Sequence, residues 1–114
     1  MKEEHNRDNI KKNITGTALK MFLEKGIKDV KMDDIASVLS ISKRTIYELY
    51  NDKEQLLYES VKLNGEIMRK EAKKRIREAK NVLEIVLGLY SIYFERLKSV
   101  NKKFFTEIEK YPNI

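Results

Sequence analysis

With 114 residues, 41% hydrophobic and 37% charged, four glycines and a single proline, the chain has material for one modest core and a composition that favours helices. It has no cysteine, which rules out disulfides and thiolate ligation and makes a cytoplasmic setting the expectation. One histidine, His5, and no glycine-rich phosphate loop leave no nucleophile with a base beside it, so neither enzyme activity nor a metal or cofactor is expected. The formal charge of +6 invites a nucleic-acid reading, but residues 1–60 carry eleven basic and eleven acidic side chains, and the surplus, thirteen against seven, lies wholly in 61–114.

The opening MKEEHNRDN reads as a polar leader without the apolar stretch of a signal peptide. Ile10, Ile14, Ala18 and Phe22 then recur every four residues, which predicts a helix from about Asn9 to Lys25 stopped by Gly26. Gly16 inside it costs about 1 kcal/mol against alanine, so either the helix tolerates it or another backbone passes close. Two short periodic pieces follow the link IKDVK. Asp52 next caps a helix that starts at Lys53, with Gln55 placed as in a capping box, and the apolar pattern sustains it to Ala79, some seven turns. Asn81 caps another, Val82 to Val100, which is apolar on nearly every face and is therefore expected to be a buried central helix. Asn101 opens a last short helix to Tyr111, ahead of Pro112. No uncharged run approaches the roughly 20 residues that span a bilayer, so no membrane partner is expected.

The two short pieces, MDDIASVLSISKRTIYELY, have the spacing of a helix-turn-helix. Ala36 is the small residue where two steeply crossed helices touch. Ile35 and Leu39 line the first, Ile41 fills the turn, and Ile46 and Leu49 line the second. On that second helix Ile46, Leu49 and Tyr50 stand at i, i+3 and i+4 and face inward, which leaves Lys43, Arg44, Thr45 and Tyr47 outside. Ser42 can cap the helix. Lys43 or Arg44 can donate to guanine, Thr45 can touch a thymine methyl or a phosphate, and Tyr47 and Lys53 can hold the DNA backbone. The plainer alternative is a solvated face, with Arg44 paired to Glu48 four residues on.

The run ALKMFLEKGIKDVKMDDIASVLSISKRTIYELYNDKEQLL resembles the N-terminal DNA-binding domain of the TetR (tetracycline repressor) family of bacterial transcription regulators. The resemblance rests on A-L-x-x-F-x-E-K-G, M-D-D-I-A, I-S-K-R-T-I-Y and D-K-E-x-L-L, and covers about the first sixty residues. It implies an all-α fold: a three-helix DNA-binding domain over 1–52, then a connecting helix and the start of a helical ligand-binding and dimerising domain over 53–114. It also implies a recognition helix in the major groove of double-stranded DNA, with Ser42, Lys43, Arg44, Thr45, Tyr47 and Lys53 facing the duplex. Lys31 stands where the family commonly has threonine. It can reach phosphate but cannot cap. Ser40 stands where glycine is usual, and if φ is positive there serine costs about 1–2 kcal/mol. Family members are longer and pair near their C-termini, so the resemblance implies a fragment or a shortened relative in which helix Val82 to Val100 exposes apolar surface unless another chain covers it, and self-association or poor solubility is expected. Homodimer formation, a near-palindromic operator and a small-molecule inducer follow from the same resemblance. Tyr90, Tyr93, Phe94, Phe104 and Phe105 are candidate pocket residues, though at this spacing they also suit a plain core. The basic cluster from Lys70 to Lys80 is either a solvated face or the dock of an acidic partner, in which case the chain is a helical protein-interaction module.

Overall fold

The computed structural model describes the backbone from Lys2 and the side chains from His5 to the end of the chain. It contains six helices and, among the described residues, no strand: α1 Lys2–Lys25, α2 Met32–Leu39, α3 Lys43–Leu49, α4 Lys53–Glu78, α5 Val82–Ser99 and α6 Lys102–Ile108. The fold is all-α. α1 begins seven residues before the expected Asn9, so the leader is helical and His5 lies exposed on it. The reason is local. Nothing between residues 2 and 13 is glycine or proline, and extending a helix already anchored by its core face costs far less than nucleating one.

That core face is Ile14, Ala18 and Phe22, each fully buried, with Met21 beside them. Ile35 and Ala36 of α2, Ile46 and Tyr50 of the α3 segment, and Leu56 and Leu57 of α4 close on it. Ile27 and Val30 in the link add two more fully buried side chains; at i and i+3 they fold one turn of chain inward. Phe104 and Val100 reach the same cluster from the far end of the chain. Gly26 ends α1 at φ +89°, with its N–H on Phe22 O at 2.8 Å. A Cβ there would lie 2.6 Å from Glu107 Oε1 and 2.9 Å from Lys103 Cβ, so α6 needs this glycine in order to dock. Gly16 faces open space, with nothing within 4 Å of where a Cβ would stand. The helix tolerates it, and no second backbone passes.

The caps follow the local rules. Asp52 accepts from Gln55 N–H at 2.8 Å, while the Gln55 amide oxygen reaches one residue further back than a standard box, to Asn51 N–H at 2.6 Å. Asn81 accepts from Glu84 N–H at 2.9 Å. Asn101 does more: its side chain accepts from Lys103 N–H at 2.9 Å, and its N–H and amide donate to Leu23 O and Glu24 O at 2.8 and 3.0 Å. The start of α6 thereby satisfies two carbonyls left open at the end of α1. α6 itself stops at Ile108, and turns closed by Lys110 N–H on Glu107 O and Tyr111 N–H on Ile108 O carry the chain to Tyr111.

One expectation is overturned. α5 is not a buried central helix; no residue of it is buried, and Val82 and Leu83 are 75% and 66% exposed. Its half-buried side, Ile85, Gly88 and Ile92, is turned towards α4, where the absence of a Cβ at Gly88 lets the Arg75 stem lie alongside. Apolar residues around a whole helix show that it needs cover on every side. They do not show that the neighbouring helices provide it.

Candidate nucleic-acid interface

α2 and α3 sit on the core through one side each. Ile35, Ala36 and Ile46 are buried, and Leu39, Ile41 and Leu49 are half-buried against the same cluster. Between the helices Ser40 adopts φ 56°, ψ 40°, the left-handed conformation, and Ile41 N–H reaches back five residues to Ala36 O at 3.0 Å. This is a Schellman stop built on a residue with a Cβ, so the turn carries about 1–2 kcal/mol of local strain.

Ser42, in extended conformation, caps α3: its hydroxyl accepts from Thr45 N–H at 3.1 Å and bonds the Thr45 hydroxyl at 2.8 Å. The two hydroxyls thus form one polar group at the start of the helix, with Ser42 exposed and Thr45 half-buried. Lys43, Arg44 and Tyr47 are exposed while Ile46 between them is fully buried, and Tyr47 is 45% exposed. Both cations have intramolecular partners. Lys43 Nζ lies 3.4 Å from Asp33 Oδ1, and Arg44 Nε lies 3.4 Å from Glu48 Oε1. Pairs as exposed as these are worth about 0–1 kcal/mol, little enough for a phosphate or a guanine edge to displace either carboxylate.

Lys31 extends just ahead of α2, exposed, and offers no acceptor; the cap there runs the other way, from Lys31 N–H to Asp34 Oδ2 at 2.9 Å. Lys53, in the first turn of α4, is half-buried and donates to Ile27 O at 2.6 Å. Burial pulls its pKa down, against the opposing pull of the Glu107, Asp29 and Asp34 carboxylates. One of its three N–H groups is therefore spent on the link between α1 and α2, a structural role that neither helix spacing nor capping rules point to.

A second long-range contact fixes α3. Tyr50 follows its last turn, 4% exposed, and its hydroxyl bonds Thr15 Oγ1 on α1 at 2.6 Å. The inward position of Tyr50 is legible in the sequence; its partner is not. The available signal is that a buried tyrosine hydroxyl requires one. Burial raises the Tyr50 pKa, opposed by the Thr15 bond and aided by the Glu59 charge.

The five candidate aromatic residues do not form a single pocket. Tyr93, Phe104 and Phe105 line a cleft of about 130 Å³ with Leu23, Asn64 and Met68, and Asn64 Oδ1 is sealed beside it without a hydrogen-bond partner. Tyr90 and Phe94 lie outside the cleft, with their ring centres 5.4 Å apart. In the basic cluster Arg75 pairs with Glu71 at 3.3 Å, and Lys70, Lys73, Lys74, Arg77 and Lys80 are exposed. Among the described residues no helix is long and apolar enough to cross a membrane, and no group of His, Cys, Asp or Glu could hold a metal ion.

The family model for bacterial regulatory proteins of the tetR family matches residues 14–59, from the core face of α1 through the helix-turn-helix into α4. Searches among curated proteins and among solved structures gave no match.

Proposed function

We propose, on the premise that residues 14–59 are the N-terminal domain of the tetR family of bacterial regulatory proteins, that this DNA-binding transcriptional regulator is a ligand-responsive repressor acting in the cytoplasm as a homodimer. The single observation that carries the reading is the two-sidedness of α3. Ile46 and Tyr50 anchor it, while Lys43, Arg44 and Tyr47 stand exposed and only weakly held by the protein's own carboxylates. Lys43 and Arg44 read base edges, the Ser42–Thr45 hydroxyls and Tyr47 take phosphates, and Lys31 and the remaining donors of Lys53 add backbone contacts. Two such helices about 34–36 Å apart engage a near-palindrome.

The inducer reading is supported by the placement of α6. Glu107 Oε2 accepts from Lys28 N–H at 2.7 Å, and Lys103 pairs with Asp29 at 3.2 Å, so α6 holds the link leading into α2. A small ligand that enters the cleft lined by Tyr93, Phe104 and Phe105 shifts α6 and, through these contacts, the helix-turn-helix.

Selection of bound duplexes from a random pool tests the reading. A palindromic motif is expected, and a pool without enrichment refutes it. Lys43→Ala is expected to relax base preference, whereas Tyr47→Phe weakens operator and random duplex alike. Equal losses on every sequence for both variants would overturn the division of roles.

A further inference from the structure

Taking the cleft between the end of α1, α4, α5 and α6 as the inducer site already proposed, we infer that it binds a one-ring aromatic carboxylate, the ring among the aromatic side chains and the carboxylate on the Arg96 guanidinium. Tyr93, Phe104 and Phe105 line the cleft together with Leu23, Met68 and Leu97, and its volume is about 130 Å³. An apolar cavity of about 150 Å³ takes up a benzene ring, so the space suits a single ring and excludes a fused polycycle or a long acyl chain. Its walls are carried by helices that pack on one another, α1 on α4 and α6, and α4 on α5.

One charged side chain stands in that wall. Arg96 lines the cleft, is half-buried, and takes part in none of the ion pairs formed among the described residues. It also borders a groove of α4 and α5 that holds Glu71 and Glu95, but Glu71 is taken by Arg75 at 3.3 Å and neither carboxylate pairs with Arg96. A guanidinium stays charged at every working pH, and a planar carboxylate is the partner that its forked N–H donors fit best. A cationic ligand is repelled there. A neutral one leaves the guanidinium as unpaired as before.

Asn64 adds a second, weaker requirement. Its Nδ2 has only Met68 Sδ as partner, at 3.9 Å, and its Oδ1 is buried without a donor. Buried amides are normally satisfied, and the last torsion of asparagine turns easily, so this group can bring its oxygen to a hydroxyl on the ring. A hydroxybenzoate meets both requirements, and benzoate meets the larger one.

Titration of the whole chain with benzoate, followed through amide chemical shifts by NMR, tests the site without DNA. A dissociation constant of about 0.1 mM or tighter is expected, with the shifts centred on Asn64, Tyr93, Arg96 and Phe105. Benzamide, the same ring without the charge, should bind about tenfold more weakly, and Arg96→Gln should bring the two probes level without weakening benzamide. An arginine that only carries its charge out to water gives no such difference between the probes. At least one monohydroxybenzoate should bind about threefold tighter than benzoate, an advantage lost in Asn64→Ala; its absence would overturn the role given to Asn64. No binding of benzoate at about 10 mM, equal binding of benzoate and benzamide by the wild type, or shifts centred elsewhere would each overturn the inference. If benzoate binds in the cleft and operator affinity stays unchanged, the site stands and the ligand-responsive reading falls. Release of DNA by a ligand of another class, with no benzoate binding, would sink the inference alone.

Discussion

For α1 the sequence predicts a single apolar stripe and for α5 a buried central helix, and the two end in opposite situations. α1 is studded with charge, yet its narrow stripe of Ile14, Ala18 and Phe22 is completely covered. α5 is far more apolar and has no buried residue. A stripe with a polar back can be satisfied by two or three short neighbours. A helix that is apolar all round needs as many neighbours as it has sides, and of the other helices only α4 lies extensively along this one. Burial follows the geometry of supply, and apolar content states only the demand.

The sharpest way to break this comparison is to empty both places. Phe22→Ala is expected to destabilise the fold by about 3–5 kcal/mol, while Val82→Ala, at the exposed edge of α5, should stay within about 0.5 kcal/mol, both read from chemical denaturation. Comparable losses would mean that α5 is as tightly packed as α1.

A smaller effect is expected from Tyr50→Phe, which strands Thr15 in the core and removes the tie between α1 and the end of α3. A loss of about 1–2 kcal/mol at neutral pH should appear in the same measurement. The raised Tyr50 pKa adds a pH signature. The stability of the neutral phenol is fully present below the unfolded pKa of about 10 and is lost as pH rises through the higher folded value. Wild type should therefore lose stability on that alkaline limb relative to Tyr50→Phe; parallel curves would show that the hydroxyl is not buried as described.

The smallest effect has the opposite sign. Ser40→Gly relieves a left-handed residue and should raise stability by about 1 kcal/mol or slightly less, because glycine also gains freedom in the unfolded chain. No change in melting temperature would mean that the turn carries no strain at this position.

Much of the candidate site was legible because it is local. Ser42 three residues before Thr45, Asp52 before Gln55 and Asn81 before Glu84 are contacts within one turn, and the inward set Ile35, Ala36 and Ile46 follows from helical period alone. The helical leader was missed for a related reason: periodicity detects an apolar face, and residues 5–9 have none. The pairing of Arg44 with Glu48 was also within reach of spacing, as the plainer reading of that face had it.

The sequence by itself determined the helices, their caps and the two-sidedness of α3, because each depends on residues at most a few positions apart along the chain. Only the tertiary structure decided that Lys53 donates an N–H to Ile27 O, that Tyr50 leans on Thr15, that Glu107 holds the link at Lys28, and that α5 stands uncovered. These contacts join residues 26 to 79 positions apart. Such pairs meet only when whole helices have packed, and packing depends on which faces the rest of the chain leaves free.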